Sequence, residues 1–314
     1  MPPFLYLAPL HGITNRIFRK VYFRHFSGVD AVLAPFILSA ERAQLKASHF
    51  KDLIPPESFG IPVIPQILSN DAPSFIATSR RLVDEGYKEI NWNLGCPFPM
   101  VANKKRGSGL LAFPEEIDRF LHASCSQLAA PLSVKVRLGR NSADEFEALV
   151  PIFNRYPLRN LIIHPRIGIQ MYEGRVDLES FEKAISALGE VPVYNGDILD
   201  AAGFAVLQER FPKVSQWMIG RGALCDPFLP ARIKGLPNKD ELKVLRSFHD
   251  ELFESYRESL NSPKHALDKM KEIWSYLGAS FSGGEKALKA LRKATGFEAY
   301  AAAVDILFIV LRTM

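Results

Sequence analysis

The sequence predicts an α/β protein whose larger part is a (β/α)8 TIM barrel, because short apolar segments alternate with helix-like segments about eight times. Several apolar segments lack strict polar–apolar alternation, which is typical of parallel strands covered on both faces. The predicted strands are Phe4–Ala8, Ala31–Ala34, Pro62–Gln66, Glu89–Asn93, Leu132–Arg137, Asn160–His164, Pro192–Asn195 and Trp217–Gly220. The clearest helix-like segments between them are Ser74–Glu85, Pro114–Leu128, Asp144–Phe153, Leu178–Leu188 and Asp200–Arg210.

The pattern changes near Leu236, after which apolar residues recur at helical spacing. Breaks rich in Gly, Ser and Pro separate four predicted helices. These helices are Lys239–Leu260, His265–Leu277, Gly284–Ala294 and Glu298–Leu311. We therefore predict a catalytic barrel domain over residues 1–235 and a small helical bundle over residues 236–314.

The net charge of +5 permits binding to a polyanion without requiring it. The basic residues are clustered, and one cluster lies on a predicted helix of the bundle. There, Lys286, Lys289 and Lys293 follow i, i+3, i+7 spacing and share one helix face. With Arg292 close by, this face either binds RNA or is simply a solvated surface.

Composition and cysteine content indicate a cytoplasmic protein. Hydrophobic residues make up 47% of the 314 residues and charged residues 23%, an ordinary globular balance. The three cysteines form neither a disulfide framework nor a metal-binding pattern, so we expect reduced thiols and no metal. The N-terminus lacks a secretory signal, and the apolar segment Tyr300–Leu311 is shorter than the roughly 20 residues that span a bilayer. We expect no membrane association, and a monomer.

Polar residues collect at or just after the carboxyl ends of the predicted strands, where barrel enzymes have their active sites. They include Pro9, Gln66, Asn93, Lys135, Arg137, His164, Asn195, Asp197 and Arg221. Taken alone, Lys135 fits either a Schiff-base lysine or a cation beside a cofactor. His164 likewise fits either a core histidine or a contact to a ligand.

Two glycine turns follow the last two predicted strands, Asn195-Gly-Asp197 and Gly220-Arg-Gly222. Barrels bind phosphate at these positions, because glycine lets backbone N–H groups approach it and an arginine neutralises its charge. The alternative is two ordinary turns.

Cys96 follows the fourth predicted strand and begins a loop rich in Pro, Gly and basic residues. Such a loop can act as a lid that carries a proton donor over the barrel mouth. A lone cysteine is more often a small buried side chain, and we assign that role to Cys125 and Cys225. The flanking residues favour a functional role for Cys96.

Those flanking residues resemble the signature of the tRNA-dihydrouridine synthase family. The strongest matches are Asn93-Leu-Gly-Cys-Pro97 and Gly107-Ser-Gly-Leu-Leu111. Further matches in family order are Ala8-Pro-Leu-His-Gly-Ile-Thr-Asn15, Val134-Lys-Val-Arg-Leu-Gly139, Tyr194-Asn-Gly-Asp-Ile198 and Met218-Ile-Gly-Arg-Gly-Ala223. The resemblance implies an FMN-dependent enzyme that reduces the C5–C6 bond of uridines in tRNA, with NADPH or NADH as reductant.

The resemblance also implies a role for each matching residue. Cys96 is the expected proton donor to C5 of uridine. Asn93, Arg137 and Tyr172 are expected to hold the uracil. The expected FMN contacts are Pro9, Leu10, Gln66, Lys135, His164, Asn195, Gly196, Asp197, Gly220 and Arg221.

One segment departs from the family pattern, since His164-Pro-Arg-Ile167 stands where the family usually has His-Gly-Arg-Thr. This change leaves the local geometry and the role of Arg166 open. Three other functions also stay open: an FMN barrel acting on free pyrimidines or dihydroorotate, a non-catalytic tRNA-binding barrel, and an aldolase or isomerase that uses Lys135 covalently. The sequence does not specify which uridine is modified.

Overall fold

The computed structural model describes residues 2–41, 46–53, 60–237, 240–260, 262–280 and 284–312. Its strands are β1 (Phe4–Leu7), β2 (Ala31–Leu33), β3 (Ile37–Leu38), β4 (Val63–Ile64), β5 (Gln66–Leu68), β6 (Ile90–Leu94), β7 (Leu132–Gly139), β8 (Leu161–Ile167), β9 (Val193–Tyr194) and β10 (Gln216–Ile219). Its helices are α1 (Arg16–His25), α2 (Ala72–Asp84), α3 (Pro99–Ala102), α4 (Pro114–Cys125), α5 (Glu145–Arg155), α6 (Leu178–Ala187), α7 (Ala201–Arg210), α8 (Arg221–Cys225), α9 (Leu229–Ile233), α10 (Glu241–Ser259), α11 (Pro263–Leu277), α12 (Glu285–Lys293) and α13 (Phe297–Arg312).

The strands form one parallel sheet in the order β3-β5-β6-β7-β8-β9-β10-β1-β2-β4. Only Pro65 separates β4 from β5, and three residues separate β2 from β3, so each of these pairs is one interrupted barrel strand. Because β1 pairs with both β10 and β2, the pairing runs through the equivalent of eight strands. The predicted α/β barrel and the helices that follow it are confirmed.

The barrel interior is filled by apolar side chains rather than left open as a pore. The buried cluster contains Tyr6, Ala8, Ala31, Leu33, Ile64, Ile162, Val193 and Met218. These residues come from six strands and from the end of β1, so the cluster ties the strands together by removing apolar surface from water.

Helix α4 illustrates how the local sequence produces the outer layer. Pro114 stands at its first turn, where the missing N–H costs nothing, and two glutamates follow near the positive end of the helix dipole. Its buried face includes Phe120, whose ring stacks on Trp92 of β6 at a centroid distance of 3.9 Å. The helix therefore packs on the strand that leads to Cys96.

Strands β7 and β8 extend two and three residues beyond their predicted ends. Pro165 and Arg166 consequently lie inside β8, although a proline cannot donate a hydrogen bond to the sheet. The register between β7 and β8 shifts between Arg137 and Gly139, opposite this point. Prolines within sheets are accommodated at such irregularities, which explains why the strand continues.

The chain packs as two compact units. The first contains residues 1–9, 30–197 and 205–219, and hence all the strands. The second contains residues 10–29, 198–204 and 220–314. The predicted functional division at residue 235 stays a prediction.

Within the second unit, α1 packs against α10. The rings of Phe18 and Phe248 meet edge to face at 6.0 Å, and Arg24 and His25 both contact the carboxylate of Glu251. Nowhere in the described ranges is a helix both long enough and apolar enough to traverse a lipid bilayer.

Candidate active site

The carboxyl ends of β6, β7 and β8 bring four polar side chains to neighbouring positions. Asn93 pairs with Lys135 across β6 and β7, and Arg137 pairs with His164 across β7 and β8. Ile162, two residues before His164, belongs to the apolar core of the barrel. Because residues two apart on a strand share a face, His164 also points into the barrel. The site is therefore built on strands rather than on loops alone.

A chain of hydrogen-bonded side chains runs from Asn93 across the neighbouring strands β5, β6 and β7. Asn93 Nδ2 donates to Gln66 Oε1 at 2.7 Å, and Gln66 Nε2 donates to Asn91 Oδ1 at 2.8 Å. Asn91 Nδ2 in turn donates to Ser133 Oγ at 2.9 Å. All four side chains are buried. Linked hydrogen bonds of this kind fix the orientation of each amide, so Gln66 and Asn93 are held in place.

Asn93 also shapes the turn that carries Cys96. Its Oδ1 accepts hydrogen bonds from the backbone N–H groups of Gly95 at 3.0 Å and Cys96 at 2.9 Å. The chain returns to the same point at Gly107, whose φ of +55° suits glycine. A Cβ at Gly107 would lie 2.9 Å from Cys96 Cβ, and Ser108 N donates to Cys96 O at 3.0 Å. Both ends of the Cys96 loop are thus fastened at the turn.

The thiol of Cys96 is only 7% exposed, and burial raises its pKa above the ordinary value. The Phe98 backbone N–H, Arg137 and Lys135 oppose this increase. The thiol is therefore protonated at neutral pH but lies where its thiolate would be stabilised by two cations. Burial also raises the pKa of Cys125 and Cys225, and Arg221 opposes the increase at Cys225, so the presence of two cations rather than one or none distinguishes Cys96.

Lys135 has the most perturbed lysine pKa in the described part of the chain. Burial lowers this pKa to about 7, and the positive charge of Arg137 adds to the effect. Within the described ranges, its ammonium group forms neither a hydrogen bond nor an ion pair. The side chain is only half-buried, so the ammonium group can meet a ligand, and a ligand with an anionic group fits this position.

Arg137 joins two loops at the rim of the barrel. Its Nε donates to Gly95 O at 3.0 Å and its Nη1 donates to Ile167 O at 2.9 Å. The side chain is 2% exposed, and burial lowers its pKa to about 10, so it remains charged at neutral pH. Arg137 therefore ties the Cys96 turn to the end of β8, where the segment that follows the strand begins.

That segment carries Tyr172, whose side chain is 44% exposed. The Arg137 guanidinium lies 5.2 Å from the centre of the Tyr172 ring, within cation–π range. The ring centroid lies 6.3 Å from that of His164 and 6.5 Å from that of Phe98. Cys96, Lys135, Arg137, His164 and Tyr172 thus lie close together, and their proposed roles stay predictions.

This geometry can be compared with known proteins. The sequence model described as dihydrouridine synthase (Dus) matches residues 6–303, which is most of the chain. The chain belongs to the dihydrouridine synthase family. It is therefore a flavin-dependent oxidoreductase, and this class excludes the aldolase alternative for Lys135.

Relatives in this family cover nearly the whole chain. A probable tRNA-dihydrouridine synthase of Staphylococcus epidermidis is 30% identical over 268 residues, covering 81% of this chain and 79% of that protein. The probable tRNA-dihydrouridine synthase 2 of Bacillus subtilis is 26% identical over 294 residues, covering 88% and 87%. Among solved structures, morphinone reductase in complex with tetrahydroNAD is similar with a TM-score of 0.52 at 11% identity, covering 76% of this chain and 89% of that one. This last likeness concerns the fold alone.

The residues after β9 are held by contacts with two other strands. Asn195 Nδ2 donates to Met218 O at 2.9 Å, and Asp197 forms an ion pair with Arg166. A Cβ at Gly196 would lie 2.1 Å from the phenol oxygen of Tyr194, so this position requires glycine. From the sequence, glycine was expected here only because it lets a backbone N–H group approach a phosphate.

Three predicted cofactor residues belong to the second compact unit. Leu10 follows β1 and donates its N–H to Thr14 Oγ1 at 2.9 Å, while Gly220 and Arg221 begin α8 directly after β10. Their predicted role in cofactor binding stays a prediction. In the ranges that the structure describes, no three His, Cys, Asp or Glu side chains are arranged to bind a metal ion.

Sequence reasoning did not identify three residues that support the site. Asn91 and Ser133 lie on predicted strands, and the alternation of Asn91 with Asn93 was a signal that both face the interior. Arg166 is 1% exposed, yet nothing in its short motif indicated which groups would surround it.

Proposed function

We propose that this protein is an FMN-dependent tRNA-dihydrouridine synthase that reduces the C5–C6 double bond of uridine in tRNA. The family assignment and the named relatives support the reaction class. The single observation that carries the proposal is the protonated thiol of Cys96, held on a fastened turn beside Lys135 and Arg137.

The residues present fit a flavin. Lys135 supplies a half-buried cation whose partner is not a residue of the described chain, and reduced flavin carries negative charge at the N1–O2 edge of its ring. When bound, the flavin supplies the hydride that C6 of uracil accepts. Its other proposed contacts in the first unit are Pro9, Gln66, His164, Asn195, Gly196 and Asp197.

Cys96 holds the proton that C5 must receive. Because burial keeps the thiol protonated at neutral pH, it can act as a general acid. The thiolate left behind lies beside the charges of Lys135 and Arg137, which lowers the cost of giving up the proton. Asn93, Arg137 and Tyr172 are proposed to hold the uracil edge and its O4.

The uridine must leave the folded RNA to reach a barrel interior. We assign the grip on the RNA backbone to the face of α12 that carries Lys286, Lys289 and Lys293. All three side chains are exposed, and none forms an ion pair in the ranges that the structure describes. Such cations bind phosphates and contribute affinity without reading bases.

The test begins with an absorbance spectrum of the purified protein, in which a flavin band is expected. The flavin-loaded protein is then given NADPH or NADH with unmodified tRNA, uridine monophosphate or dihydroorotate. Dihydrouridine is expected in tRNA, with far slower reaction of the small molecules. Equal rates on the mononucleotide would favour a free-pyrimidine enzyme. A colourless protein that binds tRNA and cannot be reconstituted with FMN would favour a non-catalytic role.

The proposal also includes a cytoplasmic, monomeric protein and either nicotinamide cofactor as reductant. Size-exclusion chromatography with light scattering tests whether the protein is a monomer. The ratio of kcat/KM for NADPH and NADH tests which nicotinamide cofactor is preferred.

A further inference from the structure

Arg166 is the centre of a buried hydrogen-bond cluster beside the site. Its guanidinium forms a bidentate pair with the carboxylate of Asp197, with Nη1 donating to Oδ1 at 3.0 Å. Nε donates to Glu173 O at 3.2 Å, and Nη2 donates to Gly174 O at 2.7 Å. Nη1 also lies 3.1 Å from Nε2 of His164. One side chain therefore connects β8, the segment after it and the turn after β9.

The contact with His164 determines the protonation of its ring. An arginine guanidinium has five N–H donors and no acceptor. Nε2 of His164 must therefore accept, because an N–H at this atom would oppose the N–H of Arg166. The imidazole is consequently neutral, with its proton on Nδ1.

The contacts with backbone carbonyls fix the segment that carries Tyr172. Glu173 O and Gly174 O, which follow Tyr172 directly, both accept from Arg166. Just before it, Met171 adopts a positive φ of +52°, a backbone conformation that residues other than glycine rarely adopt. Hydrogen bonds from Arg166 hold this strained segment in one arrangement.

The role of Asp197 follows from the same pairing. A carboxylate beside a phosphate would repel it, whereas one neutralised by an arginine does not. The bidentate geometry also fixes the plane of the guanidinium. Asp197 thus acts on the site through Arg166.

We propose that Arg166, fixed by Asp197, is a positioning residue that holds His164 as the neutral Nδ1–H tautomer and fixes the segment presenting Tyr172. The roles of His164 toward flavin and Tyr172 toward uracil rest on the proposed function, whereas the tautomer does not.

The tautomer is measured directly by NMR on the flavin-loaded protein with 15N-labelled histidine. Signals of His164 are assigned by their loss in His164→Gln, since the chain has seven histidines. Nitrogen shifts separate protonated from unprotonated imidazole nitrogen, and we expect an unprotonated Nε2 and a protonated Nδ1. A wild-type ring with its proton on Nε2, or on both nitrogens, overturns the proposal whatever the reaction of the enzyme.

Two variants test the positioning role. Arg166→Lys keeps a charge but loses the planar fork, and Arg166→Gln with Asp197→Asn removes both charges together. We expect each to mix the tautomers of His164 and to lower kcat about 100-fold, as small misplacements of reacting groups do. Arg155→Lys is the matched control, because Arg155 makes a similar contact with both oxygens of Asp118 on the outer helices.

Thermal unfolding is followed in parallel for all of these variants. Folded Arg166→Lys protein with the wild-type His164 spectrum and wild-type kcat would overturn the proposal. If the wild-type tautomer is as expected but tRNA is never reduced, the proposed function fails while the positioning of His164 stands. If a variant does not fold, the wild-type spectrum still decides the tautomer.

Discussion

Two basic side chains, half-buried Lys135 of β7 and buried His249 of α10, differ in how completely their polar atoms are partnered. His249 Nδ1 lies 2.8 Å from Asp250 Oδ1, and its Nε2 lies 2.9 Å from the hydroxyl of Tyr300. Trp274 Nε1 donates to that hydroxyl at 3.0 Å. In this tail cluster of His249, Asp250, Trp274 and Tyr300, both ring nitrogens of the histidine therefore have partners. Lys135 has no such partner in the ranges described.

The difference separates a stabilising polar cluster from a functional one. Buried polar groups normally find hydrogen-bond partners within the protein, and the tail cluster follows this rule. The Lys135 ammonium is half-buried and lacks a partner of this kind among the described residues, and it lies beside Cys96, where a charged ligand and a proton transfer are proposed. We therefore expect substitutions in the barrel cluster to change turnover and those in the tail cluster to change stability.

The largest effect is expected from Cys96→Ala, which removes the proton donor. Formation of dihydrouridine should fall by roughly 10²- to 10⁴-fold, the usual contribution of a general acid. Flavin content, tRNA affinity and NADPH oxidation should be retained, because the backbone holds the turn.

Cys125→Ala serves as the control for the loss of a thiol, since Cys125 lies at the end of α4 and its pKa is also raised by burial. It should behave like the wild type. Full turnover in Cys96→Ala would show that Cys96 is not the proton donor. It would also contradict the functional role given to the barrel cluster.

Lys135→Met is expected to stabilise the cofactor-free protein while impairing catalysis. The folded pKa of about 7 lies below the ordinary 10.5, so the unfolded state binds more protons between these values. Wild-type stability should therefore rise as the pH increases from about 7 toward 10.5. The variant should lack this rise and be more stable than the wild type below pH 7, because it has no ammonium charge to desolvate.

Urea unfolding of the cofactor-free proteins at several pH values provides the measurement. Arg155→Met removes an exposed cation of the same unit and should leave the pH dependence near pH 7 to 10 intact. A wild-type stability that is flat over this range would show that Lys135 already has a partner in the folded chain.

The exposed lysines of α12 test whether the tail acts through its surface rather than its interior. Replacing Lys286, Lys289 and Lys293 with Ala should weaken tRNA binding. The slope of the logarithm of the binding constant against the logarithm of the salt concentration should become shallower by roughly 1 per lysine. NADPH oxidation should not change. Binding is measured at several salt concentrations.

The matched control replaces three exposed lysines elsewhere in the chain, Lys88, Lys183 and Lys213. Lys88 and Lys213 precede strands, at the end of the barrel opposite the site. Equal losses of affinity in both triple variants would indicate a general charge effect and would place no RNA surface on α12.

The smallest effect is expected from His249→Gln, which removes the imidazole and its hydrogen bonds from the tail cluster. Loss of one buried hydrogen bond should lower the free energy of unfolding by about 1 kcal/mol without changing NADPH oxidation.

Burial lowers the pKa of His249, so wild-type stability should decrease as the pH falls below about 6.5. The variant should lose this part of the pH dependence, which thermal unfolding between pH 5 and 7 measures. An unchanged profile would mean that His249 is not protonated on unfolding.

The barrel was predictable because strand and helix periodicities are local properties of the sequence. The strand ends were less predictable: β8 continues through Pro165 because of a register shift against β7 that depends on a neighbouring strand. The residues of the site followed from motifs at strand ends. Their partners did not, since Arg166 meets Asp197 from 31 residues away and Gln66 meets Asn93 from 27. Such pairings arise only when the barrel forms.

The fastening of the Cys96 loop has a consequence for how the enzyme can change. Gly107 and Gly109 are closed to substitution, because a Cβ would lie 2.7 Å from Cys96 O at the first and 2.0 Å from Ala102 O at the second. Residues near Met100, which is 85% exposed, are under no such restriction. Insertions at this tip can therefore change the exposed surface of the loop while the sulfur stays where it is. The outer surface of the loop and the position of its thiol are adjacent in the chain yet free to evolve separately.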